Sequence, residues 1–453
     1  MTLDDYCARP GAWRGAGERP SCPIPLLSAN DLDRRPRHDL AMFGGKLWRD
    51  REFLKLWGGQ GISELGSQVS QLALPTVAIL LLHATPFQVG VLAACEFLAF
   101  PALGLIAGVW VDRLRRRWIM IACDAGRMLA LGSVPIAFAF NALTMPQLYV
   151  VGLITGVGTV FFDVSYQSYL PSLIARSDLV EGNTKLQVTG SVAQMAGPAL
   201  AGLLIQLVGP ARAVIADATS FLVSVLSLAW IRRPEPSPKP AEGAAPTSFW
   251  SEMREGVQFV FGNATIWKIA GSTSTANLGS NILFAVYLIF AYRVLRLSPG
   301  VIGVVFGAGA VGGLIGALSA SWIARHIGLG PTLFVSILLG GLGSILIPIA
   351  QFGYAVPLLL AASVITSFAN PVYNINQVSL RQAITPDRVQ GRMNATVRTL
   401  IWGTIPVGAL IGGVIGSTYG LLPAIYIGIV VETLAGFWIL IGPVRLREQP
   451  QPA

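Results

Sequence analysis

Three long windows of this chain carry no charged side chain at all: Pro299–Ala324, Pro331–Gln351 and Tyr354–Leu380. Each exceeds the roughly 20 residues that a helix needs to cross the hydrocarbon core of a bilayer. In lipid no water serves the backbone, and only a helix satisfies every donor and acceptor within one lipid-exposed segment. These windows therefore predict membrane-spanning helices. The composition agrees, with 53% hydrophobic and 12% charged residues, where a soluble domain carries roughly a quarter charged. Extended along the chain, the pattern predicts an all-α polytopic protein with twelve spans. They fall at 57–82, 87–111, 118–140, 147–170, 186–208, 211–231, 266–292, 299–324, 331–351, 354–380, 396–417 and 422–442.

An even number of spans puts both termini on one side, and the basic residues choose which. With the amino terminus inside, only Arg212, Arg293 and Arg296 of the 32 Lys and Arg fall outside, while Arg127 and Arg398 lie within spans. Cytoplasmic loops carry the excess positive charge. Both termini are thus expected in the cytoplasm and the protein in the plasma (inner) membrane. The net charge of +9 is then mainly topological, and no soluble basic face for nucleic acid is evident. Residues 1–41 are rich in Pro, Gly and Arg and lack the apolar core of a secretory signal. They read as a disordered cytoplasmic leader, with a regulatory tail as the alternative and Met42 as a second possible start. The four cysteines form no metal or redox spacing.

The chain also repeats. Gly104-Leu105-Ile106 recurs as Gly313-Leu314-Ile315, Arg116 as Arg325, and Asp178, Val180 and Gly182 as Asp387, Val389 and Gly391, all at an offset of 209. The offset then becomes 211, where Asn183, Gly197, Gly202 and Gly209 meet Asn394, Gly408, Gly413 and Gly420. Two parallel membrane repeats meeting at a central site are the architecture of a rocking transporter. The expected domains are an amino-terminal six-helix bundle at 42–231, a cytoplasmic linker at 232–265, a carboxy-terminal bundle at 266–442 and a tail at 443–453. Within the linker, Trp250, Met253, Val257, Val260 and Phe261 share one helical face. That suits a helix lying on the inner membrane surface or one packed beneath the bundle.

Between spans 2 and 3 runs Gly108-Val-Trp-Val-Asp112-Arg113-Leu-Arg115-Arg116-Arg117. Here the chain resembles the major facilitator superfamily, whose loop signature is matched by Gly108, Asp112, Arg113, Arg116 and Arg117; Arg115 stands where that family usually has glycine. The resemblance implies a gating loop: Gly108 for close helix approach, Asp112 for pairing, the arginines for holding the inner surface. At the 209 offset Ser321 occupies the place of Asp112, so the mirrored loop is degenerate. Span 5 carries Gly197-Pro198-Ala-Leu-Ala-Gly202, which resembles the superfamily's antiporter motif. It implies a bent, tightly packed helix and export. Phe161-Phe162-Asp163, Leu170-Pro171-Ser172-Leu173 and Gly391-Arg392-Met393-Asn394 look like the enterobactin-exporter and macrolide-efflux branch.

A charge in hydrocarbon is costly, so intramembrane ionisable residues face a cavity, pair, or carry protons. Asp124, Arg127 and Asp163 read as an inner-gate network. Glu64, Glu96 and Glu432 are the proton-coupling candidates, Glu64 first. Asp217, placed nearer the outer face, and Arg398 are further intramembrane charges. Asn277, Asn281, Asn370, Tyr373 and Asn374 are candidates for hydrogen-bonding a solute in an otherwise apolar cavity. No nucleotide-binding loop or His-Glu-x-x-His pair is present. The expected activity is secondary active export of a small amphipathic compound (drug, macrolide or siderophore class) by proton antiport, from a monomer without cofactors. A facilitator-type importer on the same fold is the alternative, and a non-transporting receptor or enzyme a remote one.

Overall fold

The computed structural model describes residues 45–235 and 249–442, so the expected leader at 1–41 and tail at 443–453 lie outside the described residues. Those residues are almost wholly helical, without a strand. In chain order the helices are α1 (Arg51–Thr76), α2 (Pro86–Phe97, resuming as Ala99–Arg113), α3 (Arg116–Ala139), α4 (Met145–Leu173), α5 (Leu179–Val208) and α6 (Pro210–Ala229). After the linker helix (Phe249–Gly262) come α7 (Ala264–Ile289), α8 (Pro299–Ile327), α9 (Leu329–Ser344, resuming as Leu346–Ile349), α10 (Ala355–Ala383), α11 (Asp387–Thr418) and α12 (Leu421–Leu434, resuming as Gly436–Leu440). Local chemistry sets the ends. Asp50 accepts from the amides of Glu52 (3.0 Å) and Phe53 (3.3 Å) at the start of α1. Glu52 accepts from Lys55 (2.7 Å) and from the Arg232 amide (2.6 Å), and the Lys55 hydrogen bond holds its carboxyl below the usual range. Thr85 and Ser298 cap α2 and α8, each followed by a proline in the first turn.

Among the described residues eleven helical stretches are long and apolar enough to cross a membrane, and α1 is the exception. It is 26 residues long, yet Gln60, Ser63, Glu64, Ser67, Gln68, Ser70 and Gln71 lower its hydropathy. Its polar side chains face a chamber described below.

The two six-helix halves are pseudo-symmetric. α1 and α7 both end in a π-helical turn, at Val77–Leu81 and Phe290–Val294, and His83 and Arg296 then take matching left-handed φ of 50° and 52°. These pairs, with Pro86 and Pro299, fix an offset of 213 in the first two helices, which corrects the 209 offset read there. Glycine and alanine recur about every turn in α2 and α8, so a slip of four residues still aligns small residues. In the true register Arg325, not Ser321, takes the place of Asp112, and Arg116 has no counterpart in Arg325. The 211 offset is structural. Gly209 and Gly420 end α5 and α11 at φ of 85° and 100°, backbone that only glycine adopts without strain. Gly202 of α5 meets Gly303 and the Pro299 carbonyl of α8, and Gly413 of α11 meets Gly90 and the Pro86 carbonyl of α2.

Those two crossings join the halves at the end remote from the described chain ends. There one apolar core is shared: Val77, Ile79, Leu92 and Ile205 pack with Val286, Phe290, Ile302 and Ile425. Toward the chain ends the cores separate, one around Phe53, Met120, Tyr169 and Leu173, another around Ile269, Leu333, Leu380 and Ile439. The linker helix packs beneath the second half. Val260 is fully buried with Ile266, Met393 and Val397, and Glu255 pairs with Arg388 (3.1 Å) and Arg392. Phe261 and Val257 stay exposed, so the helix presents one apolar edge outward.

Candidate functional site

Five of the intramembrane charges meet in one place. Glu64 of α1, Glu96 of α2, Arg127 of α3, Asp163 of α4 and Asp217 of α6 line a chamber of about 350 Å³ among the helices of the first half, with Trp402 of α11 also on its wall. Behind them Asp124, fully buried, takes an ion pair from Arg127 and a hydrogen bond from Ser224 (2.5 Å). Arg127 also donates to Thr159 (3.3 Å) and lies against the rings of Phe221 (4.2 Å) and Phe162 (4.7 Å). A buried guanidinium with these partners has its charge and two faces satisfied. Glu64 accepts from Gln60 (3.0 Å), and Asp217 from Ser220 (3.1 Å).

Gln68, Gln71 and Gln194 line this chamber and also a central cavity of about 580 Å³ between the halves. The far wall of that cavity is apolar and aromatic, with Leu288, Leu314, Phe284 and Phe306. The rings of Phe284, Tyr287 and Phe306 lie 5.7–6.2 Å apart. Phe284, Phe306, Ser367 and Asn370 carry the wall on into a second chamber of about 350 Å³ in the other half, where Asn277 and Glu432 lie. Toward the chain ends a cleft of about 310 Å³ has Asp163 on one wall and Arg398 on the other, with Phe100 against Trp402 at 4.5 Å beside it.

A run of polar chambers bounded by two repeats suits a solute pathway, and the comparisons with known proteins agree. The profile described as Major Facilitator Superfamily matches residues 56–400 and 269–453. The chain belongs to the major facilitator superfamily. Among relatives within this superfamily, the multidrug efflux pump Tap of Mycolicibacterium fortuitum is 24% identical over 82% of this chain and 92% of its own. Macrolide efflux protein A of Streptococcus pyogenes is also 24% identical, over 82% and 90%. A bacterial homologue of the iron transporter ferroportin, in an inward-facing state, superposes with a TM-score of 0.69 at 18% identity, covering 87% of this chain and 98% of that one. The same homologue in an outward-facing state reaches 0.55 at 19% identity, over 87% and 100%.

Against this superfamily fold the predicted residues divide. Glu64, Glu96, Arg127, Asp163 and Asp217 are brought together, so Asp217 belongs to the chamber and not to the outer face. Its helix position alone misplaced it. Glu432 lies apart, in the second chamber. Asn277 and Asn370 line cavities, while Asn374 donates to Asn370 (3.1 Å) and is exposed. Tyr373 and Asn281 are corrections. Tyr373 is buried, its hydroxyl 2.8 Å from that of Thr273, and so joins α10 to α7. Asn281 donates within its own helix to the Asn277 carbonyl (2.8 Å), with its Cβ packed beneath Gly408 of α11. Gly108 has open space where a neighbouring helix was expected. Arg113 is exposed, and the side chain of Asp112 lies outside the described residues. Arg117 caps the end of α6 through the carbonyls of Leu228 (2.8 Å) and Ala229 (2.6 Å), and the amide of Arg116 donates to Glu235 (2.8 Å). Sequence reasoning missed Gln60, Gln68 and Gln71. With Glu64 they form a stripe at helical spacing on α1, a signal that was legible.

Proposed function

We propose that this protein exports a small amphipathic compound from the cytoplasm by proton antiport, rocking its two halves about the central cavity. The observation that carries the reading is the joined pair of spaces: an apolar, aromatic cavity of drug-sized volume opening into a chamber of carboxyl groups. In this reading the solute occupies the cavity and a proton occupies a chamber carboxyl, with Glu64 first and Glu96 and Glu432 as rivals. Asp124, Arg127 and Asp163 form the inner gate, Asp163 facing Arg398 across the cleft. The helix bend at Gly197, Pro198 and Gly202 carries the outer closure, because Gly202 makes the α5–α8 crossing. The loop from Gly108 through Asp112, Arg113, Arg116 and Arg117 steadies the inner end. With both termini cytoplasmic, the shared core seals the outside and the state is inward-facing. The higher likeness to an inward-facing neighbour supports this, and the names of the two efflux relatives support the direction. The transporter acts as a monomer in the plasma membrane.

The test is transport in everted vesicles with an imposed proton gradient, using macrolides and other amphipathic drugs. Uptake into the vesicles that collapses with the gradient is expected. Equilibration that stops at equal concentrations would establish a facilitator instead.

A further inference from the structure

We infer that Gln68, Gln71 and Gln194 bind the polar edge of the transported compound and that Gly197 positions Gln68 for this. The compound is then an uncharged amphipath with several hydroxyl or carbonyl oxygens along one edge. The inference deepens the export reading, on which it rests for placing the solute in the central cavity.

The central cavity is two-faced. None of the described residues that line it is charged, and the carboxyl groups line the adjoining chamber instead. A charged solute would lose its hydration in this cavity without a partner. Hydrogen bonding is offered chiefly by the first half. The carboxamides of Gln68, Gln71 and Gln194 line the cavity and form no hydrogen bond among the described residues. On the opposite wall Asn370 is already engaged by Asn374 (3.1 Å), and Ser367 is the other polar side chain that the second half offers among the described residues. A primary carboxamide presents N–H donors and a carbonyl acceptor. The glutamines therefore match hydroxyl and carbonyl oxygens without calling for charge.

The pseudo-symmetry shows that this division is built in. At the 213 offset Gln71 of α1 is matched by Phe284 of α7, and at the 211 offset Gln194 of α5 is matched by Ile405 of α11. Gln68 is matched by Asn281, and both sit against a glycine. A Cβ on Gly197 of α5 would overlap the Cβ and Cγ of Gln68, and a Cβ on its mirror Gly408 would stand 2.9 Å from the Cβ of Asn281. Each half thus seats a carboxamide residue of its first helix under a glycine of its fifth. The two seats are used differently. Asn281 donates to the Asn277 carbonyl of its own helix (2.8 Å), whereas Gln68, longer by a methylene, stays unbonded at the cavity wall. Gly197 itself does not line the cavity. It acts through Gln68 and is a positioning residue.

Cortisol and progesterone are uncharged and share a ring skeleton, cortisol carrying additional hydroxyl groups. Binding of each to the purified full-length transporter in detergent gives an affinity ratio. Partition into micelles cancels when that ratio is compared between parent and variant. Gln68→Leu should shift it about fivefold or more toward progesterone, the factor of one buried neutral hydrogen bond. Gly197→Ala, which displaces Gln68, should shift the ratio the same way. It should also lower the thermal midpoint, and by less in a Gln68→Ala background, where the clash is gone but the shifted ratio persists. If Gln68→Leu does not fold, Gln194→Leu, which removes no hydrogen bond within the protein, carries the same test. A parent that binds neither steroid, or a ratio unchanged in the folded glutamine variants, overturns the proposal. An equal loss of midpoint in both backgrounds removes Gly197 from it. Gradient-driven uptake of other amphipathic drugs by such a parent leaves the export reading standing. Absence of all such uptake removes that reading instead.

Discussion

Arg127 serves four neighbours from one position: a carboxylate, a hydroxyl and two aromatic rings. Its removal leaves Asp124 buried with Ser224 as its remaining partner. Arg127→Leu should therefore destabilise the protein by about 3–5 kcal/mol, read as a lower thermal midpoint of the purified transporter, while Arg127→Lys loses less. A Leu variant as stable as the parent would show that Asp124 is not charged in the fold. Glu64 poses the opposite case. It is only half-buried, with a single amide partner, so Glu64→Gln keeps shape and bonding and cannot carry a proton. The expected outcome is a folded variant that binds and exchanges solute but does not concentrate it on a proton gradient. Uphill transport by Glu64→Gln, with failure of Glu96→Gln or Glu432→Gln, reassigns the coupling carboxyl.

At the scale of elements, the helix ends and hairpins follow from a few residues. Capping side chains start α1, α2 and α8, and glycines with positive φ stop α5 and α11. Gly209 and Gly420 lie at φ of 85° and 100° with ψ of 156° and 168°, a region open to glycine almost alone. Gly209→Ala and Gly420→Ala should each cost about 1–3 kcal/mol, seen as a lower melting temperature without loss of insertion. An unchanged melting temperature would mean that these hairpins relax freely. α1 shows how an element's function obscures its class. The polar stripe that builds the chamber is what removes α1 from the helices recognisable by hydropathy. Its membrane position rests more on its length, its apolar end at Leu72–Leu82 and its place in the repeat than on its mean hydropathy.

The whole molecule is sealed at one end by apolar packing and a small set of polar contacts between halves. Thr76 and Tyr292 join their buried hydroxyls at 2.9 Å, Arg293 donates to the Ala84 carbonyl at 2.8 Å, and the Phe87 amide donates to Ser417 at 2.8 Å. The first two have no mirror image, since Ile79 and Leu80 take the places of Tyr292 and Arg293 at the 213 offset. Tyr292→Phe removes one buried hydrogen bond, worth about 1 kcal/mol or about fivefold in the balance of states. Combined with Arg293→Gln it should open the sealed end more often. The check is the rate at which cysteines from Phe87→Cys and Ser417→Cys cross-link, which should fall in the doubly loosened protein. An unchanged rate would leave the apolar core as the sole closure.

The sequence by itself determined the membrane class, the helix count, the repeat and the identity of the intramembrane charges, because each follows from hydropathy, length and chain order. It did not determine which charges share a space. Depth along a helix says nothing of the direction a side chain faces, so Asp217 was placed away from Glu64 and Arg127 although the α1–α6 packing joins them. The same ambiguity assigns Tyr373 and Asn281 to a cavity, whereas Tyr373 binds Thr273 of a neighbouring helix and Asn281 bonds within its own. Small residues spaced by a turn tolerate a slip of one turn, which is why the repeat register of the first helices needs the backbone angles at His83 and Arg296. Only tertiary packing decides these points, since a helix has several faces and its neighbours choose among them.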